Sequence, residues 1–416
     1  MRILVVTHYF PPEIGAPQAR LSELARAWAA DGDNVTVLTG MPNHPTGVIP
    51  SAYRRRLRVF ERIDGYDIVR TWLYATPNEE FIKKTIGHLS FMVTSVLLGL
   101  WRTGAADVVV VSSPTFFSIF GAWAISKLKR APLVIDVRDL WPAIFVELGV
   151  LTNRQLVGLL ERLELWAYGQ AAEVVVVSEG FRQDLIRRGV PAQKVTTIRN
   201  GADLDRFTPG GDSGPGRRRL RVTEGEILAL YLGAHGLSHG LDTVLEAAAI
   251  VTDAPGVSVR IALVGEGAKR SALLAQADRL GVMNITMHPG VPRDEVPGLL
   301  AAADICLVPL RDVPLFSTFI PSKIFEYFAA GKAVIGALRG EAAEILRDGG
   351  ALVVEPGDPA ALARAIATLA GDPDRRTAMG AEARQYVIAH FDRRHLATVY
   401  RAVLARCARS TQGWRG

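Results

Sequence analysis

The fold of this chain is decided by the stretch LALYLGAHGLSHGLDTVLEAAAIV, residues 228–251. It begins with the apolar run Leu228–Leu232, continues through a glycine-rich loop and ends in an amphipathic segment that starts at Leu241. A second apolar run, residues 257–264, follows it. A buried strand, a loop, a helix and another buried strand are typical of a βαβ unit in a parallel sheet. The stretch therefore predicts an α/β fold.

The N-terminal part of the chain repeats this pattern with a strand at Ile3–Thr7, a helix at Pro17–Ala30 and a strand at Val35–Thr39. Further apolar runs of strand length continue both halves, at residues 107–111, 133–137, 173–177 and 195–198 in the first and 284–287, 304–308, 333–335 and 351–354 in the second. Doubly wound domains bind ligands at the carboxyl ends of their strands, so we expect a site in the cleft between two such domains.

The domain boundaries are predicted from composition. The segment TPGGDSGPGRRRL, residues 208–220, is rich in Gly, Pro and Arg, as linkers often are. We therefore predict a first domain over residues 1–205, a linker over 206–220 and a second domain over 221–385. The remaining residues, 386–416, have a helical pattern and are predicted to pack back on the first domain.

Composition limits the class of protein and its compartment. The chain has 416 residues, of which 49% are hydrophobic and 22% charged, so it has enough apolar surface for two cores. It has only two cysteines, Cys306 and Cys407, which favours a reducing compartment. The first apolar run stops at Pro11, too early for a secretory signal. We expect a cytoplasmic protein that does not bind nucleic acid, because no nucleic-acid motif accompanies its net charge of +6.

The segment TIGHLSFMVTSVLLGLW, residues 85–101, contains no Asp, Glu, Lys or Arg. As a helix its 17 residues would span about 25 Å, which is short of the ~30 Å core of a bilayer. Two interpretations stay open. The segment is a helix buried on the first sheet, or a helix at an anionic membrane surface, flanked by Lys83, Lys84 and the Arg54–Arg58 cluster. The two interpretations overlap, since one face can be buried while the rim of the helix meets lipid.

Four motifs together resemble glycosyltransferase family 4, a group of retaining enzymes. They are THYFPPEIGAPQARLSELARAWAADG (7–32), IRNGADLDRFTP (198–209), ALVGEGAKR (262–270) and PSKIFEYFAAGKAVI (321–335). The resemblance implies the GT-B fold, in which two Rossmann-like domains face each other across a cleft. IDVRDLWP (135–142) and PSKIFEY are similar to a bacterial branch that assembles polysaccharides or lipid-linked glycans.

The resemblance also implies how a nucleotide-sugar donor is held. Glu326 would accept hydrogen bonds from the ribose hydroxyls, and Lys323 would neutralise the departing diphosphate. The alternative for both is a structural role, such as an ion pair within their helix. Other residues expected at the donor lie in loops after strands: Gly15, Ala16, Gly233, Ala234, His235, Gly265, Glu266, Gly290 and Val291.

The chain departs from the family pattern at three positions. Thr318 stands where family members usually have a second Glu, and Ala234 and His239 stand where they usually have an Arg and a Lys. The usual diphosphate clamp is therefore missing. Either the backbone amides of residues 233–235 and the Lys323 ammonium take over this role, or the donor is held differently. His235 and His239 are either further hydrogen-bond partners of the phosphates or solvated loop residues.

Candidates for the acceptor side lie in the first domain. Asp139 follows a predicted strand and is the candidate for orienting the sugar or accepting the acceptor proton. Arg138 takes the place of a histidine that touches the sugar in many family members, and the alternative is a structural Asp–Arg pair. His8 and Glu13 frame the first loop and are predicted to meet the acceptor.

The predicted function is that of a retaining glycosyltransferase that needs no metal ion or other cofactor. Its predicted donor is a UDP-linked sugar of the N-acetylhexosamine type, and its acceptor is a glycan or a lipid-linked glycan. Two alternatives remain open at this point. One is a UDP-sugar 2-epimerase, which shares the GT-B fold, and the other is a non-catalytic protein that binds sugar nucleotides.

Overall fold

A computed structural model describes residues 1–44, 46–77, 81–113, 115–252 and 258–412. The chain divides into two compact units, each with one sheet. The first unit comprises Met1–Arg199 and the segment from Arg394 onward, and the second comprises Asn200–Arg393. Each unit has a Rossmann-like α/β architecture, as the sequence predicted.

The first unit contains eight strands and the second contains six. They are β1 Arg2–Val6, β2 Asn34–Gly40, β3 Arg58–Ile63, β4 Tyr66–Thr71, β5 Val108–Ser112, β6 Leu133–Val137, β7 Glu173–Val176, β8 Val195–Thr197, β9 Ile227–Leu232, β10 Val259–Val264, β11 Ile285–His288, β12 Ile305–Pro309, β13 Ala333–Ala337 and β14 Leu352–Val354. The predicted strands all occur, with ends that differ by one or two residues. Residue 257 of the predicted 257–264 strand lies outside the described residues.

Helices cover both faces of each sheet. They are α1 Ala16–Ala30, α2 Phe81–Thr94, α3 Ser118–Lys129, α4 Ala143–Glu147, α5 Arg154–Gln170, α6 Glu179–Arg187, α7 Gly214–Arg219, α8 Leu241–Thr252, α9 Arg270–Leu280, α10 Val296–Ala302, α11 Lys323–Ala329, α12 Glu341–Asp348, α13 Pro359–Ala370, α14 Pro373–His390 and α15 Arg393–Gln412. None of the helices in the described ranges combines the length and the hydrophobicity needed to cross a bilayer.

The sheet of the first unit has the strand order β3-β4-β2-β1-β5-β6-β7-β8. Strand β1 lies inside the sheet, with Ile3 opposite Val35 of β2 on one side and Val108 of β5 on the other. The side chains of these strands are buried on both faces, which explains why the sequence shows continuous apolar runs rather than alternation.

The edge hairpin β3–β4 was missed from the sequence, and β3 is antiparallel in an otherwise parallel sheet. Its turn is Asp64-Gly65, and both residues have positive φ, 49° and 86°. An Asp-Gly pair between strand residues is a strong hairpin signal because glycine adopts such dihedrals without strain. The signal was therefore present. The arginine cluster that ends at Arg58, the first residue of β3, predicts only a charged surface.

The sheet of the second unit has the order β11-β10-β9-β12-β13-β14, and all of its strands are parallel. Its connections run in one direction from β9 to β11 and in the other from β12 to β14. The order thus reverses between β9 and β12. At such a switch point the loops that leave two neighbouring strands separate, and the crevice between them is the usual ligand site of open α/β sheets.

Two segment boundaries differ from the composition-based prediction. Residues 206–220 do not form an extended linker, because they contain α7 and the buried residue Phe207. The Arg384 guanidinium donates a hydrogen bond to the backbone carbonyl of Phe207 (2.8 Å). Residue 386 lies inside α14 rather than at a boundary. The chain changes unit at the start of α15, where the Trp28 indole donates to the Ala397 carbonyl (3.0 Å) within the first unit.

Candidate active site

The switch point of the second unit brings together two loops, residues 233–240 after β9 and residues 310–322 after β12. The Arg311 amide donates to the Ser238 carbonyl (2.9 Å), so the two loops are joined directly. The β12 loop ends at α11, whose first residue is Lys323. The family motif 321–335 is therefore placed beside the glycine-rich loop after β9.

The Lys323 ammonium is buried at this point and lies 3.6 Å from the centroid of the Tyr231 ring. It has no hydrogen-bond acceptor among the described residues, so the cation–π contact is the close interaction that the protein offers it. Burial lowers the pKa of Lys323 to about 7, against a smaller opposing effect of the Glu326 carboxylate. A buried cation without an acceptor is suited to a phosphate anion, because the anion would restore both charge balance and hydrogen bonds.

Two glycines make the space for this arrangement. A β-carbon at Gly233 would lie 2.6 Å from the Lys323 nitrogen. A β-carbon at Gly265, in the loop after β10, would overlap the Gly233 carbonyl oxygen. The two loops therefore approach backbone to backbone, which only residues without a side chain allow.

The expectation that the backbone amides of residues 233–235 cradle the diphosphate is largely wrong. The Gly233 amide donates to the Val264 carbonyl (2.9 Å), and the His235 amide donates to the Glu266 carbonyl (2.8 Å). Both extend the pairing of β9 with β10 beyond the strands. Within the described part of the chain, the amides of Ala234 and Gly236 have no acceptor, and these two remain available to an anion.

Of the two loop histidines, His235 is buried and His239 is half-buried. Burial lowers the pKa of His235 to about 4 and that of His239 to about 3, and in both cases the nearby Lys323 charge adds to the effect. The imidazoles are therefore neutral at pH 7 and supply no charge in place of the usual clamp. His239 Nδ1 lies 3.3 Å from the Ser238 hydroxyl. The His235 ring is fully buried, and neither of its nitrogens has a partner among the described residues.

Glu326 lies one turn after Lys323 on α11 but pairs with a different cation. The Arg293 guanidinium, in the segment after β11, donates to its Oε1 (2.9 Å) and lies 5.4 Å from the centroid of the Phe207 ring. Arg293 is not predictable from the sequence, because a partner that is distant in sequence leaves no signal at helical spacing. The Glu326 carboxylate is mostly buried but still has acceptor positions beyond the one that Arg293 occupies.

The remaining donor candidates of the second unit, Glu266, Gly290 and Val291, follow β10 and β11, whereas Thr318 lies in the loop after β12. Thr318, at the position of the missing Glu, donates its hydroxyl to the Leu315 carbonyl (2.8 Å) within a 3₁₀ turn. Glu266 is exposed, and its carboxylate lies 3.6 Å from the guanidinium of Arg270, the first residue of α9. Gly290 faces the Glu266 side chain, and Val291 is buried. The structure thus brings Glu266 and Gly290 together.

In the first unit, Glu13 has a structural position. Its carboxylate accepts hydrogen bonds from the backbone amides of Phe10 (3.0 Å), Asn43 (2.8 Å) and His44 (2.8 Å). Burial raises the pKa of this carboxyl, although the three amides oppose the shift. The side chain ties the loop after β1 to the loop after β2, so it shapes this end of the sheet rather than facing outward.

His8 follows β1 and is also buried. Its ring packs edge-on against Tyr9, His88 and Phe91, and burial lowers its pKa well below the ordinary value for histidine. Tyr9 and His88 lie within hydrogen-bond distance (3.3 Å). This imidazole cluster was missed from the sequence, because His88 comes from the helix α2 and only the fold brings it to the end of β1.

Asp139 and Arg138 follow β6 and are half-buried. Burial raises the pKa of Asp139, and the charge of Arg138 opposes the shift. A separate buried pair was missed: Arg20 contacts Asp136 (3.4 Å) and donates to the Arg199 carbonyl (3.0 Å). The Asp136 carboxylate thus balances the buried charge of Arg20 on α1.

Gly15 precedes α1 in extended backbone, and Ala16 is the first residue of that helix. A β-carbon at Gly15 would meet the Gln18 side-chain oxygen, the movable end of a flexible side chain. Contacts within the chain therefore do not require glycine here.

Two family models match the chain. The Glycosyl transferase 4-like domain matches residues 15–201, and Glycosyl transferases group 1 matches residues 226–372. Together they cover most of both units and include the Lys323 loop. The chain belongs to glycosyltransferase family 4.

The chain is similar in sequence to a known glycosyl transferase and in structure to solved proteins. The chain is 28% identical to a putative colanic acid biosynthesis glycosyl transferase, WcaI, of Escherichia coli, over 81% of this chain and 83% of that protein. Sucrose-phosphate synthase of Thermosynechococcus elongatus has a TM-score of 0.75 at 21% identity, covering 97% and 99% of the two chains. Anabaena HepE in complex with UDP and glucose has a TM-score of 0.73 at 18% identity, covering 98% and 100%. These structures show the GT-B fold.

We predict that a single methyl group added at the backbone contact between Gly233 and Gly265 destabilises this glycosyltransferase. Gly265→Ala is expected to lower the free energy of unfolding by about 2 kcal/mol, because the methyl group forces the Gly233 and Gly265 backbones apart. Urea denaturation measures this change. Gly290→Ala is the matched control, since its β-carbon would meet the nearest atom at 3.6 Å, and we expect a change within about 0.5 kcal/mol. Equal effects of the two substitutions would contradict the packing described.

Proposed function

We propose that this glycosyltransferase moves a sugar from a UDP-linked donor to a glycan or lipid-linked acceptor with retention of configuration and without a metal ion. One observation carries the proposal: the buried Lys323 ammonium lacks an acceptor at the switch point of the second unit. A diphosphate at that point would complete the site. In support, a protein with this fold binds UDP and glucose.

The proposed reaction needs few groups. The bond between the anomeric carbon and the diphosphate oxygen breaks, and the negative charge that develops on that oxygen is stabilised by Lys323 and by the amides of Ala234 and Gly236. The acceptor hydroxyl attacks the anomeric carbon from the face that the diphosphate leaves. Its proton passes to the Asp139 carboxylate or to the departing phosphate. Glu326 holds the ribose through the acceptor positions that Arg293 leaves open.

The metal-free part of the proposal rests on the family resemblance. In the described ranges, no three His, Cys, Asp or Glu side chains are grouped as metal ligands. Metal independence itself stays a prediction, and transfer measured with EDTA in place of added Mg²⁺ tests it. The choice of an N-acetylhexosamine likewise rests on the resemblance.

A panel of UDP-sugars tests the function. The full chain is incubated with UDP-GlcNAc, UDP-GalNAc or UDP-glucose and a lipid-linked glycan extract, and NMR follows the anomeric configuration of the donor and the product. We expect sugar transfer in which the axial configuration at the anomeric carbon of the donor is kept in the product. A donor that changes its configuration at C2 without an acceptor would identify an epimerase instead. UDP binding without any turnover would indicate a non-catalytic protein.

A further inference from the structure

Helix α2 and the residues that continue it carry an exposed apolar row. The row consists of Ile82, Ile86 and Val93 on α2, Leu97 in the π-helical turn Ser95–Gly99 and Trp101 in the 3₁₀ turn Leu100–Arg102, which follow one another at steps of four or seven residues. Ile82 is 72% exposed, Leu97 67% and Trp101 83%. Large apolar side chains in a continuous exposed row are unusual on a soluble surface and mark an interaction site.

The opposite face of the same helix already provides its packing. Phe91 is fully buried, and the adjoining residues Ser95, Gly99 and Leu100 are buried as well. A substituent at Gly99 would collide with the Leu38 side chain of β2, so this face lies directly on the sheet. The helix is therefore apolar on both faces, and the exposed row is not required to hold it in place.

Neighbouring elements extend the row into a patch. The Arg102 guanidinium lies 5.8 Å from the centroid of the exposed Phe60 ring on the edge strand β3. Trp72 is partly exposed, and its carbonyl accepts a hydrogen bond from the Thr94 hydroxyl of α2 (2.6 Å). We call the five residues of the row, together with Phe60 and Trp72, the α2 patch.

The charges on the helical segment of the α2 patch have one sign. Lys83, Lys84 and Arg102 lie on its own segment, and the sequence from residue 81 to residue 102 contains no Asp or Glu. The exposed arginines Arg54, Arg55 and Arg56 before β3, and Arg58 at its start, precede Phe60 in the chain and add to this charge. A basic border around an apolar surface complements an anionic lipid headgroup layer above hydrocarbon.

We infer that the α2 patch docks this glycosyltransferase on an anionic lipid surface, with α2 lying in the plane of the interface. Helix α2 has 14 residues and continues through a π-helical turn and a 3₁₀ turn to Arg102, and none of the described helices is long and apolar enough to cross a bilayer. The highly exposed Trp101, in the 3₁₀ turn that ends this segment, suits the headgroup level, where indole rings concentrate. The basic side chains then reach the lipid phosphates while the apolar row enters the acyl boundary.

The same helix links this surface to the candidate acceptor side. His88 lies on the inner part of α2, within hydrogen-bond distance of Tyr9, which follows β1 (3.3 Å). A lipid-linked acceptor whose anchor stays in the membrane would present its glycan near this end of the sheet. This last step rests on the proposed function, whereas the docking itself does not.

Flotation with vesicles tests the inference. The full chain is mixed with phosphatidylcholine vesicles that contain 0 or 40% phosphatidylglycerol at 50 and 300 mM NaCl. We expect binding to the anionic vesicles, weakened by salt. The double variant Leu97→Gln/Trp101→Gln is expected to lower the partition coefficient at least about tenfold, since it removes two apolar anchors. Lys83→Gln/Lys84→Gln is expected to lower it by about 30-fold at low salt.

A matched control comes from the second unit. Met283 is also 83% exposed, and Met283→Gln is expected to leave vesicle binding unchanged. UDP binding measured by calorimetry should be equal in all variants, which separates this inference from the proposed function. Two results would overturn the docking: wild-type protein that does not float with anionic vesicles, or a dimer in light scattering that the Leu97→Gln/Trp101→Gln variant dissociates. The second result would assign the α2 patch to another copy of this chain.

Discussion

Lys323→Met is expected to lower kcat for sugar transfer by about 10³-fold, the effect of removing one preorganised group that stabilises developing negative charge. The ammonium lies at the reversal of strand order, where its charge would meet the departing diphosphate of the proposed reaction. Methionine has a similar volume, so the contact with the Tyr231 ring is kept. The measurement is the rate of UDP release at saturating donor and acceptor.

Lys332→Met is the matched control for this substitution. Lys332 is also largely buried, but its ammonium donates to the Ala301 (3.2 Å) and Ala303 (2.9 Å) carbonyls. We expect Lys332→Met to lower the free energy of unfolding by about 1–3 kcal/mol with kcat unchanged within about threefold. Lys323→Met should show the reverse, no loss of stability and a large loss of rate. A Lys323→Met enzyme that transfers sugar at the wild-type rate would remove Lys323 from the mechanism.

The pH dependence of UDP affinity gives an independent readout of Lys323. Burial lowers its pKa to about 7 in the free protein, and a bound diphosphate favours the protonated form. Above pH 7, UDP binding must therefore take up a proton, so affinity falls as the pH rises, by at most about tenfold per pH unit. Calorimetry in two buffers of different ionisation enthalpy should detect this proton in the wild type and not in Lys323→Met.

Glu326→Ala is expected to weaken UDP binding by about 1.5–3 kcal/mol, the scale of a charge-assisted hydrogen bond. Its carboxylate accepts from Arg293 on one oxygen, and the ribose hydroxyls would use the positions that remain. Calorimetry on the folded variant gives the affinity directly. The salt bridge raises the alternative that Glu326 only holds Arg293 in place, so the affinity of this variant alone does not distinguish the two roles.

A comparison of ligands separates the two roles of Glu326. If it binds ribose, 2′-deoxy-UDP should bind the wild type more weakly than UDP does, and the difference should shrink in Glu326→Ala. Arg293→Ala keeps the carboxylate and should retain most of that difference. If Glu326 is only structural, Glu326→Ala and Arg293→Ala should weaken both ligands to the same extent. That result would sink the ribose assignment.

The regular part of the fold was predictable because its signals are local. A parallel strand buried on both faces is a continuous apolar run, and the helices between such strands show their own periodicity. The edge hairpin was missed although its Asp64-Gly65 turn is equally local. Its strand β3 has mostly exposed side chains, such as that of Phe60, and therefore lacks the apolar run by which the other strands were found.

Only those site residues that lie together in one sequence motif were predictable. Lys323 and Glu326 were identified from a single motif on one helix. Their partners, Tyr231 and Arg293, lie about 90 and 30 residues earlier in the chain, and no spacing in the sequence joins them. The amide expectation was largely wrong for the same reason, since the sequence does not show that Gly233 donates to the last residue of β10 and His235 to the loop after it.

The amino-acid sequence by itself determined that this chain is a two-unit α/β protein of glycosyltransferase family 4. Apolar runs, glycine turns and the motif around Lys323 are properties of contiguous residues. Only the tertiary structure decided that the Lys323 ammonium is buried against Tyr231 without an acceptor, that Glu326 is paired, and that Glu13 is structural. These properties depend on which groups share a desolvated space, and burial and pairing between distant residues are set by packing rather than by local sequence.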